Sequence, residues 1–266
     1  MARLRADVRD MLAEIVEYRE LLARMTLRDL MLRYKQTVMG FGWAIFMPLM
    51  NTIIFSVVFM RVAPIDTGVP YPLFAFCGLL CWNFFASSLR FAVTSLTSNV
   101  SLVTKVYFPR EIFPVSAVLV SLVDFTVGAI VLVLLMVYYG TPVTPALLFL
   151  PAVVAVQLAF TLGVALMLAM GNLFYRDVKY LFDVAIAVWM FATAVVYPIE
   201  LVGGTLARVM MANPMTPIIE AYRAILLRGE LPATGPFLFA AAVSFATLSV
   251  AWLLFHRGEF EFAEYV

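Results

Sequence analysis

The sequence predicts an all-α polytopic membrane protein: six transmembrane helices with both termini on the cytoplasmic side. Three observations predict it. Hydrophobic residues make up 64% of the chain and charged ones 13%, against roughly a quarter charged in soluble domains. The chain carries no charge from Gln36 to Met60, enough for the about 20 apolar residues that cross a bilayer core. Eight of the eighteen basic residues precede that run: Arg3, Arg5, Arg9, Arg19, Arg24, Arg28, Arg33 and Lys35. Such a bias holds the N-terminus inside.

Residues 1–35 form a cytoplasmic N-terminus that mixes charges throughout, so no cleavable signal peptide is expected. Met11, Ile15, Tyr18, Leu22 and Met25 recur at helical spacing and predict an amphipathic helix over 8–25 that lies along the membrane interface. Thr26-Leu27-Arg28-Asp29 has the form of a capping box and predicts a second short helix to Tyr34.

A transmembrane domain over 36–256 follows, with spans expected near 40–60, 71–92, 113–138, 145–170, 181–198 and 235–256. Phe125 to Tyr175 is charge-free and too long for one crossing. Gly140-Thr141-Pro142-Val143-Thr144-Pro145 breaks it into a hairpin with an outer turn. Residues 257–266 form a cytoplasmic tail. In this layout 14 Lys and Arg residues lie inside, and only Arg61, Arg208, Arg223 and Arg228 lie outside, which agrees with the bias.

The segment 199–235 does not read as a simple loop. Leu206–Ala212 and Ile218–Leu227 are apolar stretches half the length of a span, and Pro214, Pro217 and Pro232 lie between and after them. Interrupted backbone is tolerated at membrane depth only when protein or a wet cavity surrounds it. A re-entrant helix pair at the outer end satisfies that condition, and a solvated loop is the alternative.

Several chemistries are disfavoured. The net charge of +1 offers no concentrated basic face for nucleic acid, and the basic excess beside the first span suits membrane lipid. Cys77 and Cys81, one turn apart, are packing residues, and no metal site is expected. His256 is a single imidazole at the inner end of the last span, where it serves as a polar anchor rather than a catalyst. None of the three lysines, Lys35, Lys105 and Lys179, follows a glycine, so the phosphate-binding loop of nucleotide hydrolases is missing. ATP-driven transport would need hydrolysis on another subunit, and no cofactor is expected on this chain.

Asp124 lies mid-span, where an ionised carboxylate costs about 2.5–3.5 kcal/mol on insertion scales. Standing nearly alone, it suits a hydrogen bond to a neighbouring helix better than a proton relay. Ala155, Ala159, Gly163 and Gly171 form a small-residue stripe for close helix packing. The cytoplasmic loop 100–112 exposes bulky apolar and aromatic residues, which calls for a protein partner.

Together these motifs resemble a known family. Arg33-Tyr34-Lys35-Gln36-Thr37-Val38-Met39-Gly40-Phe41-Gly42-Trp43 and Pro48-Leu49 are similar to the start of the membrane subunits of polysaccharide-exporting ABC transporters. So are Lys105-Val106-Tyr107-Phe108-Pro109-Arg110-Glu111, Asn172 to Val178, Tyr197-Pro198, Asn213 to Pro217 and the tail Glu261 to Val266. The tail departs slightly, with Glu264 where similar chains often have Asp. These subunits export O-antigen, capsule-like and teichoic-acid polymers within the type-2 export permease superfamily.

The resemblance implies a homodimer of six-helix permeases with two separate ATPase subunits, which hold ATP and Mg. It implies a coupling helix seated in the ATPase, here Lys105, Val106, Tyr107, Phe108, Arg110 and Glu111. It implies an outer gate, here Pro198, Asn213, Pro214, Pro217, Glu220 and Arg223. The implied substrate is a polysaccharide linked to an undecaprenyl diphosphate lipid, crossing the bacterial cytoplasmic membrane. Aromatic rings stack weakly on sugar C–H faces and tolerate sliding, so Phe46, Phe55, Phe59 and Tyr197 are expected to line the channel. Arg28, Arg33 and Lys35 are expected to meet the carrier diphosphate. An ABC permease for drugs or small lipids is the alternative within transport, and a membrane-embedded glycosyltransferase is the alternative outside it. The latter would have to use Glu200, Glu220 and Glu230, which are widely separated.

Overall fold

The computed structural model describes residues 17–35, 37–40, 42–62, 64–100, 102, 108–258 and 262. Among them the regular structure is helical, with no strand. Nine α-helices follow in order: α1 (Arg19–Tyr34), α2 (Gly42–Val57), α3 (Tyr71–Val93), α4 (Ile112–Tyr138) and α5 (Leu150–Phe174), then α6 (Val178–Phe191), α7 (Gly204–Met211), α8 (Met215–Arg223) and α9 (Thr234–Gly258). A π-helical turn extends α2 to Val62 and another extends α8 to Arg228, while a 3₁₀ turn, Pro145–Phe149, leads into α5.

Five of the described helical segments are long and apolar enough to cross a membrane: Gly42–Val62, Tyr71–Val93, Ile112–Tyr138, Pro145–Phe174 and Thr234–Gly258. The chain is a multi-pass membrane protein. The predicted fifth span, 181–198, takes a different form. Its helix α6 has 14 residues, about 21 Å at 1.5 Å per residue against a core of about 30 Å. The helix stops at Phe191, and Ala194 turns the chain into the left-handed region at φ 53°.

The predicted break at Thr26 is also corrected. A single helix, α1, runs through it, because the Thr26 hydroxyl donates to the Leu22 carbonyl at 2.8 Å instead of capping the next turn. A threonine satisfied by the turn before it does not stop a helix. Residues 8–16 of the expected amphipathic helix lie outside the described residues.

α3 is the central post. Pro72 enters its first turn, where a missing N–H costs nothing, and most of its length is buried against α2, α4, α5, α6 and α8. By contrast α2 buries only Pro48 and Thr52 and leaves Phe46, Ile53 and Ile54 exposed. The hairpin break lies where the sequence places it. After α4 the Thr141 N–H returns to the Met136 carbonyl at 2.9 Å and the Gly140 N–H to Val137 at 3.1 Å, with Gly140 at φ +67°. This paired closure needs a left-handed residue, which glycine supplies.

α5 and α9 pack most closely at Gly163, where a Cβ would lie 2.8 Å from the Leu248 nitrogen. Of the predicted stripe, Ala159 is buried with it, whereas Ala155 is exposed. Near the start of α4 and the ends of α5 and α9, a second apolar cluster gathers Met25 of α1, Leu96, Phe108, Ile112, Phe113, Leu173, Phe255 and Phe262. Away from lipid, burial from water drives such a cluster, at about 1.5–3 kcal/mol per large side chain.

Candidate functional site

Two polar sites interrupt the apolar bundle. In the first the sequence breaks α6 after Phe191, and the break sets the chemistry. Leaving the helix at Ala192 frees the carbonyls that follow, and buried carbonyls must be paired. Arg223 of α8, 1% exposed, donates to Ala194 O at 3.1 Å and Val195 O at 2.5 Å. The Tyr71 hydroxyl donates to Val196 O at 2.8 Å. The guanidinium lies 3.6 Å over the Phe74 ring, and Glu220 accepts from it at 2.7 Å. A planar fork suits two carbonyls and an aromatic face at once. Gly78 makes room, since a Cβ there would lie 2.3 Å from Val195 O.

Asn213 is the second fastening. Its carboxamide oxygen accepts from Trp189 Nε1 at 3.1 Å and from the Met215 N–H at 3.2 Å, and its nitrogen donates to Thr193 Oγ1 at 2.9 Å. It joins the end of α6 to the start of α8. Pro214 precedes α8, whose residues from Met215 to Ile219 are buried together with Pro217. Pro198 begins the 3₁₀ turn Ile199–Leu201. The six residues expected at an outer gate therefore form one neighbourhood, with Glu220 also 3.4 Å from Arg228. Those two ion pairs occupy Glu220. It is not a free acid of the kind a glycosyltransferase reading needs.

In the second site, Arg33 of α1 forms an ion pair with Asp124 of α4, and the Tyr34 hydroxyl donates to the same carboxylate. Arg33 also lies 3.7 Å over the Phe91 ring. Burial, and then the bond to Asp124, raises the Tyr34 pKa above its ordinary value, so Tyr34 remains a neutral donor. Asp124 thus has the interhelical partner the sequence predicts for it. Asp29 extends the seam: it accepts from Ser116 of α4 at 2.9 Å and from Arg28, which also reaches Asn99 at 3.1 Å. Lys35 is exposed. Arg33 and Arg28 are held by partners, and Lys35 projects outward beside them.

This seam forms one wall of a cavity of about 420 Å³ bounded by α1, α2, α3 and α4. Asn51 and Asn83 line it, together with Trp43, Phe84 and Phe125. The sequence reading passed over both asparagines and Gly78. The signal for the first two was available: an amide inside a charge-free span is uncommon and marks a polar contact.

Of the predicted coupling residues, Lys105, Val106 and Tyr107 lie outside the described residues. Phe108 is buried in the second apolar cluster, tilted against Phe113 at 5.5 Å. Glu111 is 4% exposed and lies 3.4 Å from Nδ1 of His256, and Arg110 is half-buried beside it. His256 is a polar anchor in this arrangement, joining the last span to the coupling region. The predicted channel aromatics separate. Phe46 is exposed, while Phe55 and Phe59 stack together at 6.3 Å, with Phe59 5.6 Å from Tyr71 on α3. Tyr197 donates its hydroxyl to the Phe191 carbonyl.

Comparison with known proteins agrees with this architecture. The ABC-2 type transporter family profile matches residues 20–227, spanning α1 through the π-helical turn after α8. The O-antigen export system permease protein RfbA of Myxococcus xanthus is 33% identical over 254 residues, 94% of this chain and 97% of the relative. The protein of the same name from Klebsiella pneumoniae is 29% identical over 216 residues, 80% of this chain and 82% of the relative. With a family match over most of its length and a relative aligned almost end to end, the chain belongs to the ABC-2 type transporter family.

Proposed function

We propose that this chain is the permease subunit of an ATP-driven exporter that moves a lipid-linked polysaccharide of O-antigen type across the bacterial cytoplasmic membrane. The observation that carries the reading is the end-to-end likeness to a protein named as an O-antigen export permease. Two copies form the channel, and two separate ATPase subunits hold and hydrolyse ATP with Mg. The uncovered faces of α2 and α6, with Phe46 and Phe191 exposed, support a second copy packed there.

In this reading α6 and the turn-and-bend segment after it, 192–198, make the fifth of six crossings. The contact of Thr144 Oγ1 with Gly229 O at 3.0 Å supports that count. Thr144 belongs to the outer hairpin turn, and Gly229 follows α8, so the chain returns to the outer end between Tyr175 and Gly229. The pair α7 and α8 is then re-entrant, and Arg223, Asn213 and their partners set the shape of the outer gate. Loop 100–112 seats in the ATPase and passes its movement to the bundle through the apolar cluster around Phe108. The carrier diphosphate meets Lys35 first and competes with Asp124 for Arg33, while Arg28 is drawn from Asp29. Phe46, Phe55, Phe59 and Tyr197 give the polymer weak, repeated contacts.

The test is co-purification with an ATPase subunit, combined with surface polymer in a host lacking its own permease. Wild type should retain the ATPase and restore the polymer, and Tyr107→Ala/Arg110→Glu should lose both. A wild-type chain that binds no ATPase under gentle extraction, and restores no polymer, rules the reading out.

A further inference from the structure

The cavity between α1, α2, α3 and α4 is larger than helix packing needs, and its lining is not that of a lipid groove. Asn51 and Asn83 sit near the middle of α2 and α3, half-buried, and their carboxamides have no hydrogen-bond partner among the described residues. At membrane depth an amide without water or a polar partner costs several kcal/mol, about 2–7 depending on the reference, so both amides require an aqueous or polar occupant. Pro48 adds a further acceptor. Lying inside α2, it has no N–H to bond the carbonyl of Ala44 one turn back, and Ala44 lines the same cavity.

The charges indicate what kind of occupant fits. Arg33 is matched by Asp124, and Arg90 lies 4.0 Å from Asp183. Of the three charged residues lining the cavity, Arg33 and Asp124 neutralise each other and Arg90 is exposed to solvent, so neither a buried cation for a phosphate nor a buried anion for a metal or amine stands free beside the asparagines. Two amides that both donate and accept, beside the Trp43 ring at the rim, match a neutral molecule bearing hydroxyls on one side and C–H groups on the other. A pyranose ring has this form. The volume of about 420 Å³ falls in the range of small-molecule clefts, about 300–1,000 Å³.

We propose that this cavity is a weak subsite for one neutral pyranose ring of the exported polymer, an inference that rests on the polysaccharide reading above. The Asn51 and Asn83 carboxamides bond the ring hydroxyls, and Trp43 covers its C–H face. Few contacts and no ion pair give short residence, which suits a chain that must advance.

The test is saturation-transfer NMR on the full chain in nanodiscs with millimolar methyl α-mannoside, methyl α-rhamnoside and methyl β-galactoside, and open-chain glucitol as control. Ring C–H protons of the glycosides should receive saturation, and glucitol should not. Asn51→Leu/Asn83→Leu removes two hydrogen bonds of about 1 kcal/mol each and should weaken binding about tenfold or more. Leu238→Ala, exposed on α9 and away from the cavity, should leave the transfer intact. Should the leucine pair fail to fold, Asn83→Ala alone carries the test with a several-fold loss. No transfer from any glycoside, equal transfer to glucitol, or transfer that survives the asparagine variants overturns the proposal. If glycosides bind as expected while the chain restores no polymer export, the site stands and the polysaccharide reading fails. If export is restored without glycoside binding, the subsite alone fails.

Discussion

At the scale of single residues, Arg223 illustrates why a buried cation can be required by backbone rather than by another charge. Its two carbonyl partners, Ala194 and Val195, exist as acceptors only because α6 ends early, at Phe191, and Ala194, a non-glycine residue, turns the chain at φ 53°. Replacing Arg223 with Met strands both carbonyls, at about 1–3 kcal/mol each. Arg223→Met should therefore lower the melting temperature of the purified protein in nanodiscs. Arg223→Lys should recover little, because an ammonium cannot span two carbonyls and cover the Phe74 ring. An Arg223→Met protein that melts with wild type removes the arginine from this role. Gly78→Ala attacks the same neighbourhood from α3, with its Cβ 2.3 Å from Val195 O and 2.6 Å from an Arg223 nitrogen. Because the two sites share partners, their effects should combine to less than their sum. Thermal melts of the two single variants and the double variant measure this directly.

At the scale of elements, α1 is held by polar contacts on the side facing α4 and by Met25 in the second apolar cluster, while Leu27, Met31 and Leu32 are exposed on other sides. Arg33→Met alone leaves the Asp124 carboxylate at membrane depth without its counter-charge, with only the Tyr34 hydroxyl bonded to it, where an ionised Asp costs up to about 2.5–3.5 kcal/mol on insertion scales. Arg33→Met/Asp124→Leu removes both charges and should be more stable than Arg33→Met. A double-mutant cycle on melting temperature checks the order, and a double variant weaker than either single one contradicts it. A second test concerns the α5–α9 crossing. Gly163→Leu places a branched side chain where even a Cβ meets backbone at 2.8 Å, so the helices must part, and overpacking of this kind costs about 1–3 kcal/mol or more. Ala155→Leu, on an exposed position of the same helix, should be neutral in the same melting assay. Much at this scale could be read in advance. Charge-free runs locate α2, α4, α5 and α9, and Gly140-Thr141-Pro142 marks the hairpin because glycine and proline act locally. The early end of α6 was not visible, since 184–198 carries no charge and its break is held by Arg223 and Asn213 from distant sequence. Thr26 misled for the related reason that one hydroxyl can either cap a new helix or bond back into the old one. The outer-gate residues were named from a resemblance, yet their common neighbourhood depends on Tyr71 and Gly78, which no local pattern singles out.

At the scale of the whole molecule, the open question is the side on which each loop lies, and the count of crossings turns on α6. Its 14 residues span about 21 Å, so the crossing would be completed by the turn and bend residues 192–198, with the Ala194, Val195 and Val196 carbonyls paired by Arg223 and Tyr71 rather than by helix turns. That solution obeys the rule that backbone at membrane depth is satisfied within protein, and it explains why a buried arginine is placed there. Cysteine labelling tests it. Val143, Tyr175 and Leu231 are all exposed, and the native Cys77 and Cys81 are buried and should give little background. With an impermeant maleimide on intact spheroplasts, Val143→Cys and Leu231→Cys should react, and Tyr175→Cys should react only after permeabilisation. If α6 and its extension fail to cross, Leu231 lies on the same side as Tyr175 and stays protected with it. The Thr144–Gly229 contact argues against that arrangement, because it would require two residues 3.0 Å apart to lie on opposite faces of a bilayer. Labelling of Leu231→Cys together with Val143→Cys, with Tyr175→Cys protected, would establish that the chain crosses the bilayer again between Tyr175 and Leu231, the step on which a count of six rests. It would also place Arg223, Asn213 and Pro217 at the outer end, where a gate for an outgoing polymer has to be.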